Sequence, residues 1–188
     1  MNLVHRWFCR SDRWRKMLDS QLFPWTLADV DLGSETLEIG PGPGLTTDLL
    51  RRRFSRVTSL EIDPRMASSL RMRLAGSNVE VVEGDATAMP FPDATFPSIV
   101  SFVMLHHVPT PALQDRLFRE AFRVLRPGSV FLSMDFRSSW WMSLAHIGDT
   151  MVTLDPRTVP ARLEAAGFSN VIVDLGPRGG FRFRAYRD

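Results

Sequence analysis

The chain has 188 residues, one domain's worth, and is 44% hydrophobic and 23% charged, which excludes a disordered chain, a collagen-like repeat and a disulfide scaffold. Its single cysteine (Cys9) allows no internal disulfide and no cysteine-only metal cluster, and 23 basic residues against 21 acidic ones are too balanced to predict nucleic-acid binding. No stretch approaches the roughly 18 uncharged apolar residues of a membrane span. The first residues, MNLVHRWFCRSDRWRKM, lack the apolar middle of a signal peptide, so the expectation is a soluble, cytoplasmic chain without a transmembrane segment.

Residues 1–35 read as helical. They mix Arg6, Arg10, Arg13, Arg15 and Lys16 with Trp7, Phe8, Trp14, Phe23 and Trp25. A lid over the site with arginines outward is expected; contact with a membrane surface or a nucleic acid are the alternatives. From residue 36 to 188, strand-like and helix-like stretches alternate in a single domain. Thr36 to Gly40 is a short apolar run, and Leu45 to Phe54 carries Leu45, Leu49, Leu50 and Phe54 on one helical face. Arg56 to Ile62 reads as a strand, Pro64 to Leu74 as a helix, and Val79 to Glu83 as a third strand. Ser98 to Leu105 has the unbroken apolarity of a strand covered on both sides. Pro111 to Leu125 is an amphipathic helix, which Pro127-Gly128 is expected to stop before a strand at Ser129 to Phe136. A helix is expected over 139–152, another from Asp155 to Ala166, and then a hairpin of Asn170–Leu175 and Phe181–Tyr186 about the turn GPRGG. Strand–helix alternation implies an α/β fold, a doubly wound, mostly parallel sheet with helices on both faces, whose final strand runs antiparallel.

In such sheets, ligands bind at the carboxyl ends of the strands. The first strand ends in Glu38-Ile39-Gly40-Pro41-Gly42-Pro43-Gly44. A dinucleotide fingerprint has glycines at relative positions one, three and six, whereas here they stand at one, three and five. Pro41 and Pro43 also have no N–H, so two donors of a phosphate cradle are missing. Glu61, at the end of the second strand, suits the two hydroxyls of an unmodified ribose and repels a 2′-phosphate. Asp85, after the third strand, suits an exocyclic amine. Ribose and adenine without a diphosphate describe S-adenosylmethionine better than a nicotinamide cofactor.

The segments LEIGPGPG (37–44), VTSLEIDP (57–64), VEGDATAMPFPDATF (82–96), VSFVMLHHV (100–108) and FRVLRPGSVFL (122–132) resemble the successive motifs of class I S-adenosylmethionine-dependent methyltransferases. The likeness is greatest to the small-molecule group that includes quinone-biosynthesis enzymes. It implies a seven-stranded sheet in the order 3-2-1-4-5-7-6 with strand seven reversed. It also implies that Glu38, Gly40, Gly42 and Gly44 line the methionine part of the cofactor, Glu61 holds the ribose, Ile62 packs on the adenine, Asp85 and Ala86 read its edge, and Ser101 and Phe102 face the reactive end. Two departures stand out: Pro97 replaces the acidic residue that often precedes the fourth strand, and 84–97 is too short for a full helix.

The implied activity is methyl transfer to a small, apolar or aromatic acceptor. His106, His107 and His146 are the candidates for a general base, and no metal is expected, because His146 and Asp149 lack an identifiable third ligand. The (Asp/Asn)-Pro-Pro-aromatic motif of base-amine methylation is absent. RNA methylation and a non-catalytic or partner-dependent cofactor-binding protein are the alternatives; no stable nucleic-acid partner is expected, and the oligomeric state stays open.

Overall fold

A computed structural model describes residues 11–137 and 151–188. Most of the expected 139–152 helix, with His146 and Asp149, lies outside the described residues. A helical run, α1, comprises Asp12–Met17, a π-helical stretch Leu18–Leu22 and Phe23–Leu27. It is followed by β1 (Glu35–Ile39), α2 (Leu45–Arg53), β2 (Arg56–Glu61), α3 (Pro64–Arg73), β3 (Val79–Glu83) and β4 (Phe96–Phe102). The second half holds α4 (Pro111–Val124), β5 (Leu125–Phe136), α5 (Val159–Ala165), β6 (Ser169–Leu175) and β7 (Gly180–Arg187).

The seven strands form one sheet in the order β3-β2-β1-β4-β5-β7-β6. The pairs among β1 to β5 are parallel, and β7 runs antiparallel to β5 and β6. The central strands bury both faces, so alternate residues enter two cores. Leu37, Ile39, Ile99, Phe131 and Phe183 join Leu117, Phe118, Ala121 and Val124 of α4 on one side. Val100, Phe102, Leu132 and Met134 join Leu18 and Leu22 of α1 and Leu50 of α2 on the other. Each large apolar side chain so buried contributes about 1.5–3 kcal/mol.

Besides the end of β4, which falls at Phe102 and not at Leu105, the sequence reading needs three adjustments. Pro127-Gly128 does not separate helix from strand: α4 ends at Val124, and Leu125 is already extended (φ −76°, ψ 139°) and pairs with Phe96. The pair sits instead in an irregular stretch where the β4–β5 register slips, with Gly128 at φ 76°. Pro97 lies on β4 at the same slip, where its missing N–H breaks no regular ladder. Third, α5 begins at Val159, four residues later than expected, because the Asp155 carboxylate accepts from Arg157 N–H (3.0 Å) and folds 155–158 into a turn. The 84–95 link makes turns without a helix, as its length requires.

The two ends of α1 have different jobs. At its start, Ser11 Oγ accepts from Trp14 N–H (3.2 Å). The π-helical stretch precedes Pro24, whose ring in a regular helix would clash with the carbonyl of Ser20. At its far end, Arg182 of β7 donates to the carbonyls of Trp25, Thr26 and Ala28, and its guanidinium carbon lies 5.2 Å from the Trp25 ring centre. A Cβ at Gly176 would stand 2.4 Å from that ring, so the β6–β7 turn is closed tightly against α1. The helix is thus held at its carboxyl end, and its amino-terminal half extends over the strand tips.

Candidate active site

The tips of β1, β2, β3 and β4 open into a cleft of about 470 Å³. Along one side runs the loop 40–44, in which Gly40, Gly42 and Gly44 all take left-handed backbone angles (φ 69°, 53° and 84°). Only glycine adopts these without strain. Gly40 also meets a second demand: a Cβ there would lie 2.2 Å from Cγ of Met104. Within the loop every amide is already used or missing. Gly40 N–H donates to the Leu60 carbonyl (2.9 Å), Gly44 N–H to the Pro41 carbonyl (2.9 Å), and Gly42 N–H to Glu61 Oε2 (3.0 Å). The prolines have none, so the loop presents no cradle for a diphosphate.

Glu61 is buried, yet it lines the cleft. One carboxylate oxygen accepts from Gly42 and the other from Asp63 N–H (2.9 Å), which fixes the carboxylate plane at the strand tip. Ile62 lines the same wall and is 66% exposed, an apolar surface with no intramolecular cover. Asp85 and Ala86 complete this end; Asp85 Oδ1 accepts from Thr87 N–H (2.7 Å), which holds its loop in a turn.

Two expected site residues lie behind the cleft. Glu38 is fully buried, and its carboxylate accepts from the hydroxyls of Thr46, Thr47 and Ser59 (2.6 Å from Thr47, 2.8 Å from Ser59). Burial pushes its pKa above the ordinary glutamate value; the three hydroxyls pull the other way and do not offset it, and Glu61 adds to the rise. Glu38 therefore ties α2 to the sheet beneath the loop and does not line the cleft. Ser101 alternates onto the α4 side of β4, also buried, so only Phe102 reaches the cleft. Gly44 caps α2 and lies outside the lining, with Arg73 and Leu70 packed against it.

The other half of the cleft is apolar, lined by Trp14 and Leu18 of α1, Phe102, Met104, Val108 and Leu113. Phe102 stacks on Phe23, with ring centres 5.4 Å apart. Val103, a β-branched residue at φ 53°, is held there while donating its N–H to the Met134 carbonyl (2.8 Å). The two described histidines separate. His107 lines the cleft, whereas His106 is buried and its Nδ1 donates to Asp135 Oδ1 (2.8 Å); the rings lie 4.2 Å apart. Asp135, which the sequence reading missed, also accepts from His106 N–H (3.2 Å) and so fixes both backbone and ring. A lone carboxylate at the end of the apolar run FLSMDF was its only signal. Gln114 donates to the carbonyls of Leu105 and Val152 (3.1 and 2.7 Å), which brings residue 152 against the histidine turn. Among the described residues no group of three or more metal-ligating side chains gathers, and no helix is long and apolar enough to cross a membrane.

Gly42 offers a direct test of the loop. A Cβ there meets nothing within 4 Å, so a side chain would project into open space beside the cleft. Gly42→Val is expected to cost about 1–2 kcal/mol of stability through its left-handed angle and to weaken adenosyl-ligand binding at least tenfold, read by calorimetric titration. Unchanged affinity would mean that the ligand does not approach this loop.

Among relatives, a 2-methyl-6-phytyl-1,4-hydroquinone methyltransferase of Oryza sativa is 30% identical over 150 residues, 78% of this chain and 44% of that protein. An rRNA adenine N-6-methyltransferase of Saccharopolyspora erythraea is 56% identical over 59 residues, 30% of this chain and 16% of that protein. The chain thus spans about half or less of the length of the curated relatives it matches. The solved structure of the PH0226 protein from Pyrococcus horikoshii superposes with a TM-score of 0.81 at 18% identity, covering 96% of this chain and 94% of that one. The family model described as a methyltransferase domain matches residues 37–133, the stretch that contains the glycine loop, Glu61, Asp85 and the histidine turn. The chain belongs to this methyltransferase-domain family.

Proposed function

We propose that this chain transfers the methyl group of S-adenosylmethionine to a small apolar or aromatic acceptor. The observation that carries the reading is the division of the cleft. Its acidic side chains, Glu61 and Asp85, stand at the tips of β2 and β3, and apolar side chains line the β4 end with His107. The donor set fits an adenosyl group: a fixed carboxylate for ribose hydroxyls, an exposed Ile62 for the base, and Asp85 with Ala86 for its edge. The loop's lack of free amides fits a ligand without phosphate. Bound S-adenosylmethionine supplies a methyl group on a positively charged sulfur, a leaving group that needs no further activation.

The protein's work is then alignment and exclusion of water. Gly40 lets Met104 close directly on the loop, while Phe102 and Trp14 wall the apolar end. For a hydroxyl acceptor, His107 on the cleft wall is the candidate for the departing proton, and His106, fixed by Asp135, packs against its ring. The described part of residues 1–35 acts as a lid in this reading, since Trp14 and Leu18 line the cleft, while Arg6, Trp7, Phe8 and Arg10 lie outside the described residues. The hydroquinone enzyme among the relatives supports an acceptor of this chemical kind.

The test is incubation with methyl-labelled cofactor and three acceptor sets (alkylated hydroquinones, fatty acids, and RNA), followed by mass spectrometry of labelled products. Label in a hydroquinone or a fatty acid is expected. Label in RNA alone would overturn the acceptor class, and cofactor binding without any labelled product would point to a binding protein or a partner-dependent subunit.

A further inference from the structure

A second groove, of about 590 Å³, opens between α1, α2 and α3 and shares Gly42, Pro43, Leu45 and Met66 with the first cleft. Three guanidinium groups line it: Arg15, Arg65 and Arg73. Arg73 is committed, donating to Asp48 Oδ2 (2.7 Å) and to the carbonyls of Pro43 and Gly44 (3.4 and 3.3 Å). The two carboxylates of the groove are committed as well, since Asp48 holds Arg51 and Arg73, and Asp63 caps α3 through the N–H groups of Arg65 and Met66. Arg15 and Arg65 have no ion pair among the described residues.

This groove bears on a charge that the first cleft leaves unanswered. A sulfonium amino acid nucleoside carries an α-carboxylate at the end remote from its base. With Glu61 and Asp85 at the nucleoside end, that carboxylate falls toward the glycine loop. The loop's own amides are used or absent, and the first turn of α2 offers only neutral N–H groups at Leu45 and Thr46. Among the residues lining the two openings, the full positive charges are the guanidinium groups of Arg15, Arg65 and Arg73. Arg65 is the weaker choice, because it shares a turn with the Asp63 carboxylate. Arg15 follows Trp14, which itself lines the cofactor cleft, so α1 brings an apolar wall and a cation without an ion pair among the described residues to the two sides of one loop.

Resting on the cofactor reading above, we infer that Arg15 pairs with the α-carboxylate of the cofactor, so that the ligand itself fastens α1 over the cleft. The experiment compares S-adenosylhomocysteine with 5′-methylthioadenosine, which has the same nucleoside but neither the α-carboxylate nor the α-ammonium. Both are titrated calorimetrically into the full chain, the wild type against Arg15→Met, Arg15→Lys and Arg65→Met. Loss of one charge-assisted contact weakens binding about 10- to 100-fold. Arg15→Met is expected to lose that factor for S-adenosylhomocysteine and to stay within about twofold for methylthioadenosine. Arg15→Lys should recover most of the loss, and Arg65→Met should match the wild type. Equal losses for both ligands, no loss, or a loss confined to Arg65→Met would overturn the assignment. A wild-type chain that binds neither ligand would remove the cofactor reading itself. Arg15 is exposed, so the melting temperature should not move.

Discussion

Replacing Glu61 with alanine is expected to reduce S-adenosylmethionine affinity at least 100-fold while changing stability by no more than about 1 kcal/mol. The carboxylate faces two sets of partners. On the protein side it accepts from Gly42 and Asp63 N–H; on the cleft side, in the proposed reading, its remaining lone pairs accept from the two ribose hydroxyls. Two hydrogen bonds to a charged acceptor contribute about 1.5–3 kcal/mol each, so their sum corresponds to a loss of two to four orders of magnitude. The fold loses far less, because Glu61 is the last residue of β2 and the two residues whose amides it releases lie at openings, Gly42 on the cleft and Asp63 on the groove beside it, where water can reach them. Glu61→Gln keeps the shape but turns an NH₂ toward one of those amides, a donor against a donor, and should still lose about tenfold. A ligand with a 2′-deoxyribose separates direct from indirect effects: if the carboxylate holds that hydroxyl, the deoxy ligand must lose less than the parent on going to the alanine variant. Equal losses would mean that Glu61 acts only by shaping the loop. Undiminished binding in the calorimeter would place the ribose elsewhere.

The features legible in the sequence were those set by local rules. The apolar stripe of α4 declares itself at helical spacing, and the glycine–proline alternation announces a turn that no other residues could make. Glu61 and Asp85 were visible because a polar residue just after an apolar strand has few structural reasons to be there. Glu38 obeys the same rule and yet does something else. Its neighbours Leu37 and Ile39 point toward α4, so Glu38 points toward α2, where Thr46 and Thr47 wait eight and nine residues ahead. Strand alternation alone gives this direction, and the same alternation turns Ser101 away from the cleft while Phe102 enters it. What the sequence could not give was pairing over distance. Nothing local joins Asp135 to His106, or Arg182 to the end of α1, since each contact is made by strand order and not by spacing. The late start of α5 and the early start of β5 have a different cause: side-chain hydrogen bonding at Asp155 and a register slip at Gly128 override the local patterns.

The consequence of Glu38's position is a stability effect with a definite pH signature. Its three hydroxyl partners come from Thr46 and Thr47 on α2 and from Ser59 on β2, so one carboxylate joins two strands and a helix directly under the glycine loop. Glu38→Ala leaves three buried hydroxyls without their acceptor and a cavity between α2 and the sheet; about 3 kcal/mol or more of stability should be lost. Glu38→Gln tests the charge alone, because the amide oxygen still accepts and the NH₂ can donate to a hydroxyl that rotates. The sign follows from the raised pKa. Between the ordinary value of 4.5 and the higher folded-state value, the native chain keeps a proton that the unfolded chain has released. Stability therefore falls as pH rises through that window, and the cost of burying the charge is fully present above it. Denaturant titrations of the wild type and Glu38→Gln from pH 4 upward should diverge in that direction, the glutamine variant losing less stability with rising pH. Parallel curves would mean that Glu38 has the same pKa in both states, and that the hydroxyls offset its burial completely.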